Sequence, residues 1–136
     1  MHGLPLIAEW QRVTHLLLHA VEQELADLRL SSAESNALAC FAGHPARTVR
    51  DLVAATGQRP STLTGILDRL ERRDMVTRTP NPQDRRSVLV ALTPEGQAAA
   101  DRVAAAFAAV EARLMPAQDA ARLISQVRHA FLTDAC

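Results

Sequence analysis

The 136-residue sequence predicts a mainly α fold with one small β-hairpin, in a single domain spanning residues 1–136. Ala, Leu and Val dominate an apolar content of 48%, with only three Phe and one Trp, which favours helices packed through small side chains. Apolar residues recur at helical spacing through most of the chain. One segment, residues 76–92, alternates between apolar and polar as strands do.

The first two helices are predicted from an apolar stripe and a capping motif. The first is expected from Pro5 to Leu28, and its stripe is too wide to be covered by a single neighbour. Ser31 and Glu34 form a capping box at the start of the second helix, which is expected to end before Pro45.

Two short helices follow, joined by a tight turn at Gly57. Thr48 and Asp51 form a capping box at the start of the first of them. Pro60 suits the first position of the second. The apolar side of that second helix consists of Leu63, Ile66, Leu67 and Leu70.

A hairpin and two more helices complete the chain. Two strand-like segments face each other across the Asn81–Arg86 loop. Thr93 and Pro94 then begin a long, Ala-rich helix that is expected to reach about Met115, and Pro116 ends it before a last amphipathic helix.

The charges are unevenly distributed although the formal net charge is zero. Between Arg47 and Arg86, nine arginines stand against five acidic residues, so this segment carries +4 and the flanks together carry −4. A basic centre between acidic flanks is an asymmetry that a nucleic-acid partner would explain.

Export and membrane association are not indicated. The amino terminus lacks a basic start followed by a clean apolar run, and no stretch approaches the ~18 apolar residues of a membrane span. The two cysteines, Cys40 and Cys136, provide no disulfide framework, and Cys40 is expected to pack as a small hydrophobic residue. We expect a cytoplasmic protein with no membrane partner.

Two short helices with a glycine turn, followed by a hairpin, form a helix-turn-helix with a wing. A recognition helix in the major groove needs small polar side chains near its start and an apolar side behind. The minor groove admits a thin hairpin, where arginine meets strong negative potential. The sequence therefore gives the following candidate DNA contacts: Ser61, Thr62, Thr64, Gly65, Arg69, Arg72, Arg73, Asp84, Arg85 and Arg86.

Two ion pairs are expected within this segment. Asp84 is placed to hold the guanidinium of Arg86 in a bidentate pair, which would lower the entropy lost on docking. Asp68 and Arg72 are spaced as an i,i+4 pair on the helix surface.

The sequence resembles the MarR family of bacterial transcriptional regulators. The resemblance covers residues 48–96, above all "TLTGILDRLERRDMV" and the "DRR" that precedes a strand and "LTPEG". It implies a winged helix-turn-helix homodimer, with residues 31–93 as the DNA-binding lobe and residues 1–30 and 94–136 as dimerisation helices. It also implies a repressor that a small lipophilic or phenolic effector releases from DNA, and it places Arg86 in the minor groove.

Two positions depart from the family pattern. Asp74 stands where the family commonly has Gly at the end of the recognition helix, and Asp tolerates a left-handed conformation. Arg59 stands where the family often has a capping Ser or Thr; it cannot cap the helix but can reach a phosphate, so it joins the candidate DNA contacts.

The leading interpretation is a ligand-responsive repressor that binds a pseudo-palindromic operator in double-stranded DNA as a homodimer. Trp10, His15 and His19 on the first helix are candidate effector contacts. The spacing of His15 and His19 leaves a metal-sensing regulator as one alternative, and a helical protein-interaction module of the same fold is another. No catalytic motif is recognised, so we expect no enzyme, no cofactor and no metal site.

Overall fold

The computed structural model describes residues 3, 5–114 and 117–132. Within these ranges the chain forms six α-helices, a 3-10 turn and three antiparallel strands, which confirms the predicted mainly α fold with a small β-wing. The helices are α1 (Leu6–Glu24), α2 (Ser32–Ala39), α3 (Val49–Thr56), α4 (Pro60–Arg72), α5 (Pro94–Glu111) and α6 (Ala117–Leu132). The strands are β1 (Ala46–Thr48), β2 (Val76–Asn81) and β3 (Asp84–Leu92).

No described helix is both long and apolar enough to cross a bilayer.

One hydrophobic core joins helices α1 to α5 and the sheet. Its largest fully buried apolar side chains are Leu25, Leu38, Leu52, Leu63, Ile66, Leu67, Leu70, Val76, Val90 and Val103. The predicted apolar side of α4 is confirmed, because all four of its residues are at most 1% exposed. This buried side fixes the opposite, polar side of α4 toward solvent.

The helix starts that the sequence predicts are confirmed. The hydroxyl groups of Ser31, Thr48 and Thr93 each accept the backbone N–H three residues along, at 3.1, 3.1 and 3.0 Å. Pro60 is the first residue of α4, and Gly57 ends α3 with φ of +69°. Glycine enters this left-handed region without the steric penalty that a Cβ imposes.

One helix end differs from the prediction, and another agrees with it. The first predicted helix is divided, since α1 is followed by the separate 3-10 turn Ala26–Leu28. Helix α2 ends at Ala39, several residues before Pro45. Arg47 Nη1 donates to the Cys40 carbonyl at 2.7 Å, so a side chain from the next strand satisfies an acceptor at the helix end.

The sheet contains a strand that the sequence did not predict. The strand order is β1-β3-β2, and all neighbours are antiparallel. Strand β1 pairs Ala46 with Ala91 and Thr48 with Leu89. The hairpin is thereby attached along one edge to the segment that leads directly into α3.

The hairpin loop is shorter than predicted. Asn81 pairs with Asp84 across a two-residue turn, so the prediction that residues 84–86 lie in the loop is wrong, and they begin β3. The side chain of Asn81 accepts the Gln83 N–H at 3.1 Å and donates to Ser87 Oγ at 3.0 Å. Asn side chains stabilise tight turns through such local bonds.

The root of the hairpin meets the start of α5 at very short range. Asp74 has φ of +57°, as the sequence suggested, and its carbonyl accepts the Thr93 hydroxyl. The Thr93 N–H donates to the Met75 carbonyl at 3.0 Å. A Cβ on Gly96 would lie 1.8 Å from that same Met75 oxygen, so only glycine fits there.

Apolar side chains on the terminal helices remain exposed in the single chain. On α1 these are Leu6, Ile7, Trp10, Val13, Leu16 and Leu18, and on α6 they are Leu123, Ile124, Phe131 and Leu132. Their exposed fractions run from 37% to 77%. Exposed apolar side chains gathered on a helix are typical of an interaction site. The predicted break at Met115 and Pro116 lies outside the described residues.

We expect Gly96→Ala to lower the free energy of unfolding by about 3 kcal/mol or more, because the new methyl group overlaps a backbone oxygen that cannot move alone. Gly65→Ala is a matched control within a helix: its Cβ would lie 3.9 Å from the nearest atom, Arg69 Nη1. It should raise stability by about 0.5–1 kcal/mol. Urea denaturation of both variants checks this pair, and a neutral Gly96→Ala would contradict it.

Candidate nucleic-acid interface

Helix α4 exposes a polar side to solvent, and the two flanks of that side contact neighbouring elements. Ser61, Thr62 and Thr64 are exposed near its start, and Arg69 and Arg72 are exposed farther along. No described side chain caps its N-terminus, since Arg59 makes no capping hydrogen bond. The first-turn N–H groups therefore stay open to an anion.

A groove of about 1010 Å³ separates α3 and α4 from the hairpin. Arg50 of α3, Thr64 of α4 and Arg86 of β3 all line it. The structure thus brings the predicted recognition helix and the predicted wing to one concave surface. Sequence reasoning omitted Arg50 from the site, although its place on the first helix of the helix-turn-helix could have suggested it.

Asp84 acts on Arg86 through the backbone. Asp84 Oδ1 accepts the Arg86 backbone N–H at 3.0 Å, whereas the described residues include no ion pair between this carboxylate and the Arg86 guanidinium. The expected bidentate pair is therefore wrong for this structure. The carboxylate shapes the turn, and the exposed guanidinium is left free for another partner.

The flank of α4 next to the wing is held by Arg78 of β2. Arg78 Nη2 lies 2.6 Å from Asp68 Oδ1, and Arg78 Nε lies 3.1 Å from Glu71 Oε2. Asp68 is thus paired with Arg78, and the expected pair with Arg72 is wrong. The hydrogen bond from Arg78 lowers the pKa of Glu71, and its positive charge acts in the same direction.

The opposite flank of α4 is held by a buried carboxylate of α2. Glu34 lies 3.6 Å from Arg69 Nε and 3.5 Å from Arg73 Nη1. Arg73 also donates to the carbonyls of Leu28 and Arg29, at 2.5 and 3.1 Å. Arg73 therefore joins α4 to the 3-10 turn, which leaves little of its guanidinium for DNA.

Several arginines of the winged lobe remain exposed and, within the described ranges, take part in no ion pair: Arg50, Arg59, Arg72, Arg85 and Arg86. They lie on α3, at the start and end of α4, and on β3. Uncompensated guanidinium groups on one lobe form the electrostatic footprint of a nucleic-acid site. Contact of the individual candidate residues with DNA stays a prediction.

The candidate effector residues lie on α1. Trp10, His15 and His19 are exposed, and His19 contacts the Gln23 side chain at 3.3 Å. In the part of the chain that is described, no three metal-ligating side chains gather at one place. The assignment of these three residues to an effector stays a prediction.

A separate cavity of about 570 Å³ lies between the end of α2 and α5. Its walls include Phe41, His44, Asp101 and Phe107. Cys40 nearby is half-buried, and burial raises the pKa of its thiol, which fits packing better than reactivity. Cys136 lies outside the described residues.

These features define the class: a winged helix-turn-helix protein. The family model described as the MarR family matches residues 27–87. The chain is 30% identical over 112 residues to the HTH-type transcriptional repressor MdtR of Bacillus subtilis, covering 82% of this chain and 70% of MdtR. The chain belongs to the MarR family.

Two other relatives are informative. The HTH-type transcriptional repressor NicR of Pseudomonas putida is 34% identical over 98 residues, 67% of this chain, and the match spans only 62% of NicR. CouR of Rhodococcus jostii, solved with p-coumaroyl-CoA, is 29% identical with a TM-score of 0.76, covering 87% of this chain and 85% of CouR. CouR bound to a 23-mer DNA duplex superposes with a TM-score of 0.77 at 25% identity, covering 93% and 92% of the two chains.

We expect Arg78→Gln to raise the pKa of Glu71 toward its ordinary value, since the Arg78 hydrogen bond is what lowers it. A carboxylate whose pKa is lowered by folding stabilises the fold above its ordinary pKa, and that contribution is lost as the pH falls through the lowered value. NMR titration of side-chain carboxyl carbons measures the change. Asp27, whose pKa Arg102 lowers, is the internal control and should not respond. An unchanged Glu71 titration would refute the role of Arg78.

Proposed function

We propose that the protein is a homodimeric transcriptional repressor that binds double-stranded DNA and responds to a small effector. The observation that carries this is the concave surface between α3, α4 and the wing, which Thr64 of α4 lines together with the unpaired Arg50 of α3 and Arg86 of the wing. Helix α4 would enter the major groove, and the wing would place Arg86 in the adjacent minor groove. CouR, which has the same fold, is a repressor solved on a DNA duplex.

The proposed dimer forms through the terminal helices. Residues 1–30 and 94–136 would supply it, because α1 and α6 carry the exposed apolar side chains that a single chain leaves uncovered. A two-fold dimer reads a pseudo-palindrome whose half-sites are about one helical turn, ~10 bp, apart. Such a regulator acts in the cytoplasm, where bacterial DNA lies.

The alternatives have less support. A protein-interaction module has no need of unpaired arginines on both the recognition helix and the wing. A metal sensor needs a ligand set that His15 and His19 do not complete within the described residues. The proposal assigns no enzymatic activity, in keeping with a family of transcriptional regulators.

We expect Arg86→Ala to weaken duplex binding strongly while leaving dimerisation and melting temperature nearly unchanged, because the side chain is exposed and unpaired. The slope of log affinity against log salt should fall by about one per protomer. Fluorescence anisotropy over a salt series measures both quantities. Arg12→Ala is the control: Arg12 lies on α1, outside the winged lobe, and its ion pair among the described residues is with Glu9, so its loss should leave the salt slope unchanged. Wild-type affinity that does not depend on salt would favour a protein partner.

We propose further that a small aromatic effector binds in the cavity between α2 and α5, which Trp10, His15 and His19 do not line. Phe41 and Phe107 offer aromatic walls there, and His44 and Asp101 offer polar contacts. A cavity of about 570 Å³ suits a compound of one or two rings. CouR binds p-coumaroyl-CoA, so hydroxycinnamic acids and their CoA thioesters are the first compounds to test.

If a compound from this set releases the wild-type protein from DNA, we expect the same compound not to release the Ala104→Phe variant. Ala104 lines the cavity and is exposed, so a phenyl ring can fill the space without disrupting the core. DNA affinity without the compound should be unchanged, and the compound should no longer raise the melting temperature. Equal release of both proteins would place the effector site elsewhere.

A further inference from the structure

A second concave surface lies on the side of α4 that faces away from the wing. It has a volume of about 440 Å³ and is lined by Arg29, Glu34, Arg69, Arg72 and Arg73. The lining thus contains four arginines and one carboxylate. Glu34 forms the floor, since its side chain is only 8% exposed.

The carboxylate does not balance this charge. Arg73 is held by Glu34 and by two backbone carbonyls. Arg69 approaches Glu34 only to 3.6 Å, which is longer than a charge-assisted hydrogen bond of about 2.7–2.9 Å. Arg29 and Arg72 have exposed side chains that form no ion pair in the described part of the chain. Several guanidinium groups that line one pocket favour an anion between them.

The backbone keeps Arg29 at the edge of this pocket. Arg29 has φ of +51°, a left-handed conformation that a residue with a Cβ adopts reluctantly. The two hydrogen bonds from Arg73, to the carbonyls of Leu28 and Arg29, hold this conformation. Strained backbone of this kind gathers at functional sites.

The position of the pocket indicates which anion it takes. A recognition helix in the major groove has a phosphate strand on each side of it. The wing covers one flank of α4, and the pocket opens on the other. We infer that the pocket seats one backbone phosphate of the operator between Arg29, Arg69 and Arg72, with Glu34 as the positioning residue for Arg69. The inference rests on the proposed DNA-binding function and adds Arg29, which precedes the helix-turn-helix.

The test uses the dimer and a duplex selected from a random pool by the wild-type protein. Single phosphates of this duplex are replaced, one at a time, by neutral methylphosphonate, and affinity is measured for wild type, Arg29→Gln and Arg72→Gln. We expect wild type to lose roughly fivefold to tenfold at one position per half-site, as for loss of a charge-assisted bond. Both variants should bind the unmodified duplex more weakly by a similar factor. Replacement of the phosphate at that same position should not weaken them further, because the effects of removing two groups that contact each other are not additive.

Arg12→Gln is the matched control, with the same loss of charge on α1, and should keep the wild-type response at every position. If Arg29→Gln binds the duplexes as Arg12→Gln does while Arg86→Ala binds them more weakly, the proposed phosphate site is wrong. The proposed function would still stand. Equal sensitivity of wild type and Arg29→Gln at every methylphosphonate would also overturn it, because the charge would then act at long range. Wild type that shows no salt-dependent duplex binding would overturn both proposals.

A free phosphorylated ligand is the other source of the same chemistry. Millimolar inorganic phosphate, compared with chloride at equal ionic strength, should leave the duplex affinity of wild type nearly unchanged. Displacement of the duplex by phosphate in wild type but not in Arg29→Gln would show that the pocket serves a free anion instead of DNA.

Discussion

The contact between Gly96 and the Met75 carbonyl is the constraint on which the geometry of the binding surface depends. At this point the end of α4, the first residue of β2, the last residue of β3 and the first turn of α5 converge. Met75 donates its N–H to Leu70 in α4 and accepts the Thr93 N–H, both at 3.0 Å. A side chain on Gly96 would separate these elements. The wing, α4 and α5 are therefore joined at one point.

The arginines of the basic segment divide into two groups that do different work. Arg47, Arg73 and Arg78 bond to carbonyls or carboxylates and hold the lobe together, and Arg69 forms a longer ion pair with Glu34. The unpaired group faces solvent on the surface formed by α4 and the wing. An arginine that is bonded within the protein orders its neighbours before DNA binds, so less entropy is lost on binding. An unpaired arginine instead replaces counterions at the DNA phosphates. Five of the nine arginines of the segment thus remain available to a partner, according to the ion pairs of the described residues.

Sequence reasoning succeeded where the signal is local. The capping hydroxyls of Ser31, Thr48 and Thr93 act on an N–H three residues away, so the spacing alone identifies them. It failed where partners are set by tertiary structure. Strand β1 has only three residues and exists through its pairing with β3, about forty residues later. Asp68 has Arg72 at helical spacing, yet the fold places Arg78 of β2 at 2.6 Å from it, and a hydrogen bond at that distance prevails over an exposed i,i+4 pair.

Helix α2 connects the two sites that we propose. Its first turn carries Glu34, whose carboxylate holds Arg69 and Arg73 of the recognition helix. Its last turn and the residues that follow, including Leu38 and Phe41, line the cavity against α5. Eight residues of helix span about 12 Å. A compound bound between α2 and α5 would therefore contact the same element that positions α4, and it would favour release only if it bound more tightly to an arrangement in which α4 is displaced.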